Sequence, residues 1–142
     1  RGRLKSLAAS LHVLDRNIFF LGRCKDIHTC LKKSRVFIMT SAWEGLPSSL
    51  VEAFVVGVPA IVPSVGDIPT LAWHESNALL VDSSDPRVYA EAIERLFTDP
   101  ELQQQLAIGA RYAGDKLRRQ IEEGVSRERW DQALTMCSAT KS

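Results

Sequence analysis

Cysteine is scarce in this chain. There are only three, Cys24, Cys30 and Cys137, and no two of them stand as C-x-x-C. An odd, dispersed set argues against a disulfide framework and matches the reduced thiols of a cytosolic protein. Histidine is equally sparse: His12, His28 and His74 fall at no ligand spacing, so no structural zinc is expected. No apolar run approaches the roughly 20 residues of a membrane span, and no secretory leader is visible. Neither sign of charge dominates. Eighteen Lys and Arg against 17 Asp and Glu leave a net +1, without the basic footprint of a nucleic-acid binder. Internal repeats and low-complexity segments are also lacking. The first residue is Arg1, not Met, which reads as an excerpt of a longer protein.

What remains is the make-up of one soluble globular domain. The chain has 142 residues, 45% hydrophobic and 25% charged, enough for a real core. Helical spacing of Leu4, Leu7, Ala8 and Leu11 predicts a helix from Arg1 to Val13. After a turn at Asp15-Arg-Asn17, Ile18–Leu21 reads as a short strand ended by Gly22. Asp26 caps a second helix with Ile27, Cys30 and Leu31 inward. Val36–Met39 is a buried parallel-type strand, and further strands follow at Ala60–Val62 and Ala78–Val81. Between these last two, Ser64–Asp67 is a loop and Ile68–Trp73 about one helical turn. Asp85-Pro86 opens a helix through Phe97 with Ala90, Ile93, Leu96 and Phe97 inward. Asp99-Pro100 repeats the device and starts a helix to about Tyr112. Arg111–Glu123 is polar and helix-prone, a solvated face. A last amphipathic helix is expected over Ser126–Cys137, anchored by Trp130 and Leu134. Alternation of strands and helices makes the fold class α/β with a parallel sheet.

The organising stretch is Ser41-Ala-Trp-Glu-Gly-Leu-Pro-Ser-Ser-Leu-Val-Glu52. It joins the Val36–Met39 strand to Leu50–Val56, a run apolar on nearly every face and hence a short buried helix closed by Gly57 and Pro59. Glu52 is the one charge inside that helix, and a buried carboxylate needs a partner. Two readings compete. In the first, Ser49-Leu-Val-Glu52 is a capping box, with Glu52 reaching back to the Ser49 amide and Glu44 an exposed loop acid. In the second, the strand end, tight turn and helix N-terminus are an anion site, with free amides and the helix dipole aimed at a phosphate. Gly45 and Ser48 are small enough for close approach, and two carboxylates suit hydroxyl groups. Phosphate plus hydroxyls describes a sugar nucleotide.

The whole string S-A-W-E-G-L-P-S-S-L-V-E-A-F-V-V-G-V-P-A-I-V-P-S, with Glu44-x7-Glu52 inside it, resembles the signature of group 1 glycosyltransferases over roughly Leu4 to Gly114. The resemblance implies residues 1–142 as a partial C-terminal, Rossmann-like, doubly wound domain of the GT-B fold. It implies a retaining, hexosyltransferase-type enzyme of carbohydrate biosynthesis using a nucleotide sugar, with this chain supplying the donor half. Carried over, Glu44 contacts the donor sugar and Glu52 the ribose. The amides of Gly45, Leu46, Pro47–Ser48 and Ser49 cradle the sugar and pyrophosphate. Arg23, after the Phe19-Phe20 strand, meets the base or is simply a solvated surface charge. No metal and no cofactor beyond the donor are implied, since basic groups and amides neutralise the diphosphate. The acceptor, a glycan, lipid or small molecule, would be bound by an N-terminal domain. No nucleic-acid partner is expected. Location would be cytoplasmic, with association of the full protein at the cytoplasmic membrane face compatible with the reading.

Departures from the family pattern are also legible. Gly66-Asp-Ile-Pro-Thr70 replaces G-G-x-P-E, and Ala78-Leu-Leu-Val81 replaces G-x-L-V. The family's two first strands and its G-R…K phosphate segment would precede Arg1. With strand order 3-2-1-4-5-6, Ile18–Leu21 would be strand 3, separated by roughly 14 Å from strand 4, Val36–Met39, and left without a partner. The chain alone is therefore expected to be inactive. The alternative function is a non-catalytic nucleotide-binding or interaction module derived from that domain. A related GT-B enzyme such as a sugar-nucleotide epimerase ranks last, because those lack the string.

Overall fold

A computed structural model describes residues 2–122 of the chain; the expected helix at Ser126–Cys137 lies outside them. The elements run α1 (Gly2–Ser10), α2 (Ile27–Lys32), β1 (Phe37–Ile38), α3 (Ser48–Val55), β2 (Ala60–Pro63), α4 (Ile68–Leu71), β3 (Ala78–Val81), α5 (Pro86–Thr98) and α6 (Pro100–Glu122). The three strands form one parallel sheet in the order β1-β2-β3. Phe37 stands opposite Ala60, and Ala60 opposite Ala78.

β2 shows why the sheet is doubly wound. Its four residues are all buried, so both faces must be covered. Ala60 and Val62 point into one core with Leu50, Phe54 and Ala113 of α3 and α6. Ile61 points the opposite way, into a second core with Tyr89, Leu96 and Leu106 of α5 and α6. Successive strand side chains alternate faces, so one strand nails together two helical layers.

The helix starts follow local chemistry. Asp26 accepts a hydrogen bond from the Thr29 amide at 3.0 Å, Asp85 from the Arg87 amide at 2.9 Å and Asp99 from the Leu102 amide at 2.9 Å. Each satisfies an amide that the first helical turn leaves unpaired. Pro86 and Pro100 follow as first helical residues, where no amide is needed.

Several expectations are corrected. α1 ends at Ser10, and His12 sits at φ 55, outside right-handed helical space. Only Ala8 of its apolar stripe is buried; Leu4, Leu7 and Leu11 are exposed. Ile18–Leu21 is not a strand. Ile18 makes a single bridge to Leu14, its amide bonds Val13 and its carbonyl Asp15, while Phe19 and Leu21 lie exposed. A strand exists only by pairing, and among the described residues β1 pairs with β2 alone, not with Ile18–Leu21. On α5 the inward stripe is Tyr89, Ile93 and Leu96; Ala90 and Phe97 are exposed. Phe97 instead lies under the Arg35 guanidinium, 4.4 Å from the ring centre, a cation–π arrangement.

α6 continues ten residues past the expected end, to Glu122. Its glycines are contact points, not stops. A Cβ on Gly109 would run into the Ser76 carbonyl, and one on Gly114 into the Phe54 carbonyl. With Ala110 and Ala113 buried beside them, α6 lies directly on the backbone of α3 and of the turn before β3.

Candidate functional site

The site begins where β1 ends. Ser41–Pro47 turns the chain into α3, and Pro47 is extended (φ −77, ψ 100) as the residue before the helix. Its carbonyl accepts from the amides of Leu50 and Val51, at 3.1 and 3.2 Å. That sets the helix start at Ser48, so Ser49 already lies inside the first turn and Glu52 on the next. The capping box therefore does not form: no side chain caps α3. A box needs Ser49 outside the helix, and Pro47 takes that position.

Two consequences bear on ligand binding. Among the described residues, the amides of Gly45, Leu46, Ser48 and Ser49 donate no hydrogen bond. They stand at the positive end of α3, where an anion is favoured. Glu52 is half-buried on a helix whose Leu50, Val51, Ala53 and Phe54 are buried. It too has no hydrogen-bond partner among the described residues, and Glu44 does not supply one.

Glu44 is held from two sides. The Ser41 hydroxyl donates to its carboxylate at 2.6 Å, and its carbonyl accepts from the Asp67 amide at 3.3 Å. Gly66 makes the second contact possible. At φ 53, its α-carbon faces the Glu44 backbone so closely that a Cβ would overlap the carbonyl oxygen. Leu46 and Val65 anchor the two loops in the core beneath, and Pro47 is buried. Leu46 and Pro47 thus place the turn with their side chains, while Gly45, Ser48 and Ser49 leave backbone open.

Arg23 is not brought to this turn by any bond. It is exposed on the loop before α2 and makes no hydrogen bond or ion pair among the described residues. Two residues of the site escape sequence reasoning. Gly66 is legible only as part of a variant motif. Trp43, 73% exposed beside Glu44, carries no sequence signal that separates it from a core aromatic. The two departures are absorbed locally. Thr70 donates its hydroxyl to the Asp67 carbonyl at 2.7 Å, holding the α4 turn. Ala78 is fully buried in the sheet opposite Ala60. Among the described residues no three His, Cys, Asp or Glu are grouped to hold a metal, and no helix is long and apolar enough to cross a membrane.

The family model described as "Glycosyl transferases group 1" matches residues 1–112. The chain belongs to the group 1 glycosyltransferases. One relative in this family is the UDP-Gal:alpha-D-GlcNAc-diphosphoundecaprenol alpha-1,3-galactosyltransferase of Escherichia coli. It is 33% identical over 89 residues, covering 63% of this chain and 23% of that protein. Among solved structures, sucrose-phosphate synthase from Thermosynechococcus elongatus superposes with a TM-score of 0.80 at 22% identity. The match covers 96% of this chain and 34% of the synthase. Anabaena HepE in complex with UDP-glucose gives 0.77 at 22% identity, covering 89% and 36%. These likenesses establish the fold as the Rossmann-like α/β architecture of GT-B glycosyltransferases, and the chain spans about a quarter to a third of those three proteins' lengths.

Proposed function

We propose that Ser41–Glu52 is the donor turn of a retaining hexosyltransferase, which moves a sugar from a nucleoside-diphosphate sugar to an acceptor hydroxyl. One observation carries this reading: the start of α3 presents amides, and its second turn a half-buried carboxylate, that are unbonded among the described residues. Unpaired polar groups in such a place cost stability, and a ligand with an anion and hydroxyls would satisfy both kinds at once.

The roles follow from the chemistry. The amides of Ser48 and Ser49, with the helix dipole, receive the diphosphate. Charge builds on that diphosphate as the glycosidic bond breaks, so donors already aimed there favour the transition state over the ground state. Gly45 and Leu46 offer amides nearer the sugar. Glu44, oriented by Ser41, accepts from sugar hydroxyls, and Glu52 accepts from the ribose. Arg23 meets the base. No metal is assigned to the diphosphate in this reading.

Charge balance says what this chain must borrow. Between Arg35 and Arg87 there is no Lys or Arg, yet the turn carries two carboxylates. Within residues 36–86 only amides face the diphosphate and this like charge, so the proposed site calls for cationic side chains from elsewhere in the protein. The acceptor, a glycan, lipid or small molecule, would be held by a separate N-terminal domain. The working location is the cytoplasm, and a lipid acceptor would bring the protein to the membrane's cytoplasmic face.

The test uses the full-length protein. UDP-glucose, the ligand in the HepE complex, is the first probe. Glu52→Ala is expected to weaken its binding by roughly tenfold to a hundredfold, the worth of a charged hydrogen bond. Glu44→Ala should lower kcat more than binding. If both variants kept kcat/KM within about twofold of the parent, the assignment would fail.

A further inference from the structure

Two of the three cysteines meet in the fold. Cys24 lies on the loop after Gly22, which has φ 74. Cys30 lies in α2, whose first turn Asp26 holds through the Thr29 amide. Their sulfur atoms stand 3.4 Å apart and share a hydrogen bond. Both thiols are free and half-buried, so small reagents can reach them. Two sulfurs fall short of the four ligands of a structural zinc, and no third ligand is grouped with them among the described residues.

We propose that Cys24 and Cys30 are a reversible dithiol–disulfide site, closed by a low-molecular-weight disulfide of the glutathione class. A disulfide bond is about 2.05 Å long, so the sulfurs need only a short further approach. One cysteine thiolate attacks a sulfur of the small disulfide and expels a small thiolate, which takes up the cysteine's proton. The second cysteine attacks the mixed disulfide and expels the other small thiol, again with its proton. Two cysteine thiols are oxidised and one small disulfide is reduced to two thiols, so atoms and electrons balance.

The surroundings control the rate. The hydrogen bond to Cys24, with burial and the Asp26 charge, holds the Cys30 thiol above its ordinary range. The thiolate is the nucleophile, so closure should quicken as pH rises. The closed ring would tie the loop that carries Arg23 to α2. Leu31 of α2 packs on Ala53 of α3 and on Val58, so the loop would be fastened to the layer beneath the candidate site. Any effect on nucleotide binding rests on the role assigned to Arg23; the thiol chemistry does not.

The experiment treats the reduced chain with oxidised glutathione, blocks remaining thiols by alkylation and digests with trypsin without reductant. Cleavage after Arg23, Lys25 and Lys32 places Cys24 and Cys30 on different peptides. The expected product joins those two peptides, two hydrogens lighter than their sum, and dithiothreitol reverses it. Cys137→Ser should leave that product unchanged, and Cys24→Ser should trap glutathione on Cys30 instead. Glutathione persisting on either cysteine of the parent chain, a bond from either to Cys137, or Cys24 and Cys30 both recovered alkylated would each overturn the proposal.

Discussion

Glu52 is where folding and the proposed ligand binding make opposite demands. A capping role would make the carboxylate stabilising, but Pro47 supplies the helix start and the carboxylate has no hydrogen bond among the described residues. Glu52→Ala in the chain is therefore expected to leave unfolding free energy within about 0.5 kcal/mol or raise it; clear destabilisation in urea would restore the capping role. Gly66 tests the opposite case, a residue without a side chain whose backbone sets Glu44. Gly66→Ala forces a side chain into left-handed backbone against the Glu44 carbonyl. A loss of about 1–3 kcal/mol is expected, with weaker UDP-glucose binding in the full protein; wild-type stability and affinity together would contradict this. Acid should loosen the fold through three carboxyls held below their ordinary range: Asp26 by its hydrogen bonds from Thr29, Glu75 by Arg95 and Asp85 by Arg87. A depressed folded pKa contributes stability above the unfolded value, near 4, and loses it as pH falls through the folded value. Melting temperature should thus hold down to about pH 4 and fall below it, and the fall should be shallower in Asp85→Asn.

At the scale of elements, α6 sets propensity against packing. Replacing a mid-helix glycine with alanine ordinarily gains about 0.5–1 kcal/mol. At Gly114 the added methyl meets the Phe54 carbonyl and the Val55 amide, and overpacking costs about 1–3 kcal/mol. The steric cost exceeds the gain in propensity, so Gly114→Ala should destabilise the chain. A gain in thermal or urea stability would mean that α6 shifts off α3 at little cost. The same contact explains why the helix outlasts its polar sequence: one face is held by small residues against backbone, and charge on the other face is solvated.

At the scale of the molecule, the described sheet is covered on both faces at β2 and has β1 and β3 as its two edges. Among the described residues β1 has two paired residues and one neighbouring strand, and Ile38 is 40% exposed. Phe19 and Leu21 and the α1 leucines are exposed as well. An edge strand and exposed apolar side chains each invite association with another chain. Residues 1–142 by themselves are expected to associate as concentration rises in sedimentation velocity and to transfer no sugar. A monodisperse monomer across a wide concentration range would contradict the first expectation, and measurable transfer the second.

What the sequence determined alone is what local chemistry decides. Asp26, Asp85 and Asp99 cap helices through amides two or three residues away, and the apolar runs at Ala60–Val62 and Ala78–Val81 had no alternative to burial. The Glu44-x7-Glu52 string announced the family for a related reason: its turn is built from consecutive residues. Tertiary structure decided everything that needed a distant partner. Ile18–Leu21 has the composition of a strand, but a strand is a paired state, and among the described residues this segment makes only the single bridge from Ile18 to Leu14. Gly109 and Gly114 carry no sequence signal of the Ser76 and Phe54 backbones that press on them. Cys24 and Cys30 looked unrelated until the loop folded back on α2. Pro47 rather than Ser49 began α3, leaving Glu52 without a partner, because the helix start depends on which carbonyl first accepts two amides, a choice that Ser49-x-x-Glu52 spacing leaves open.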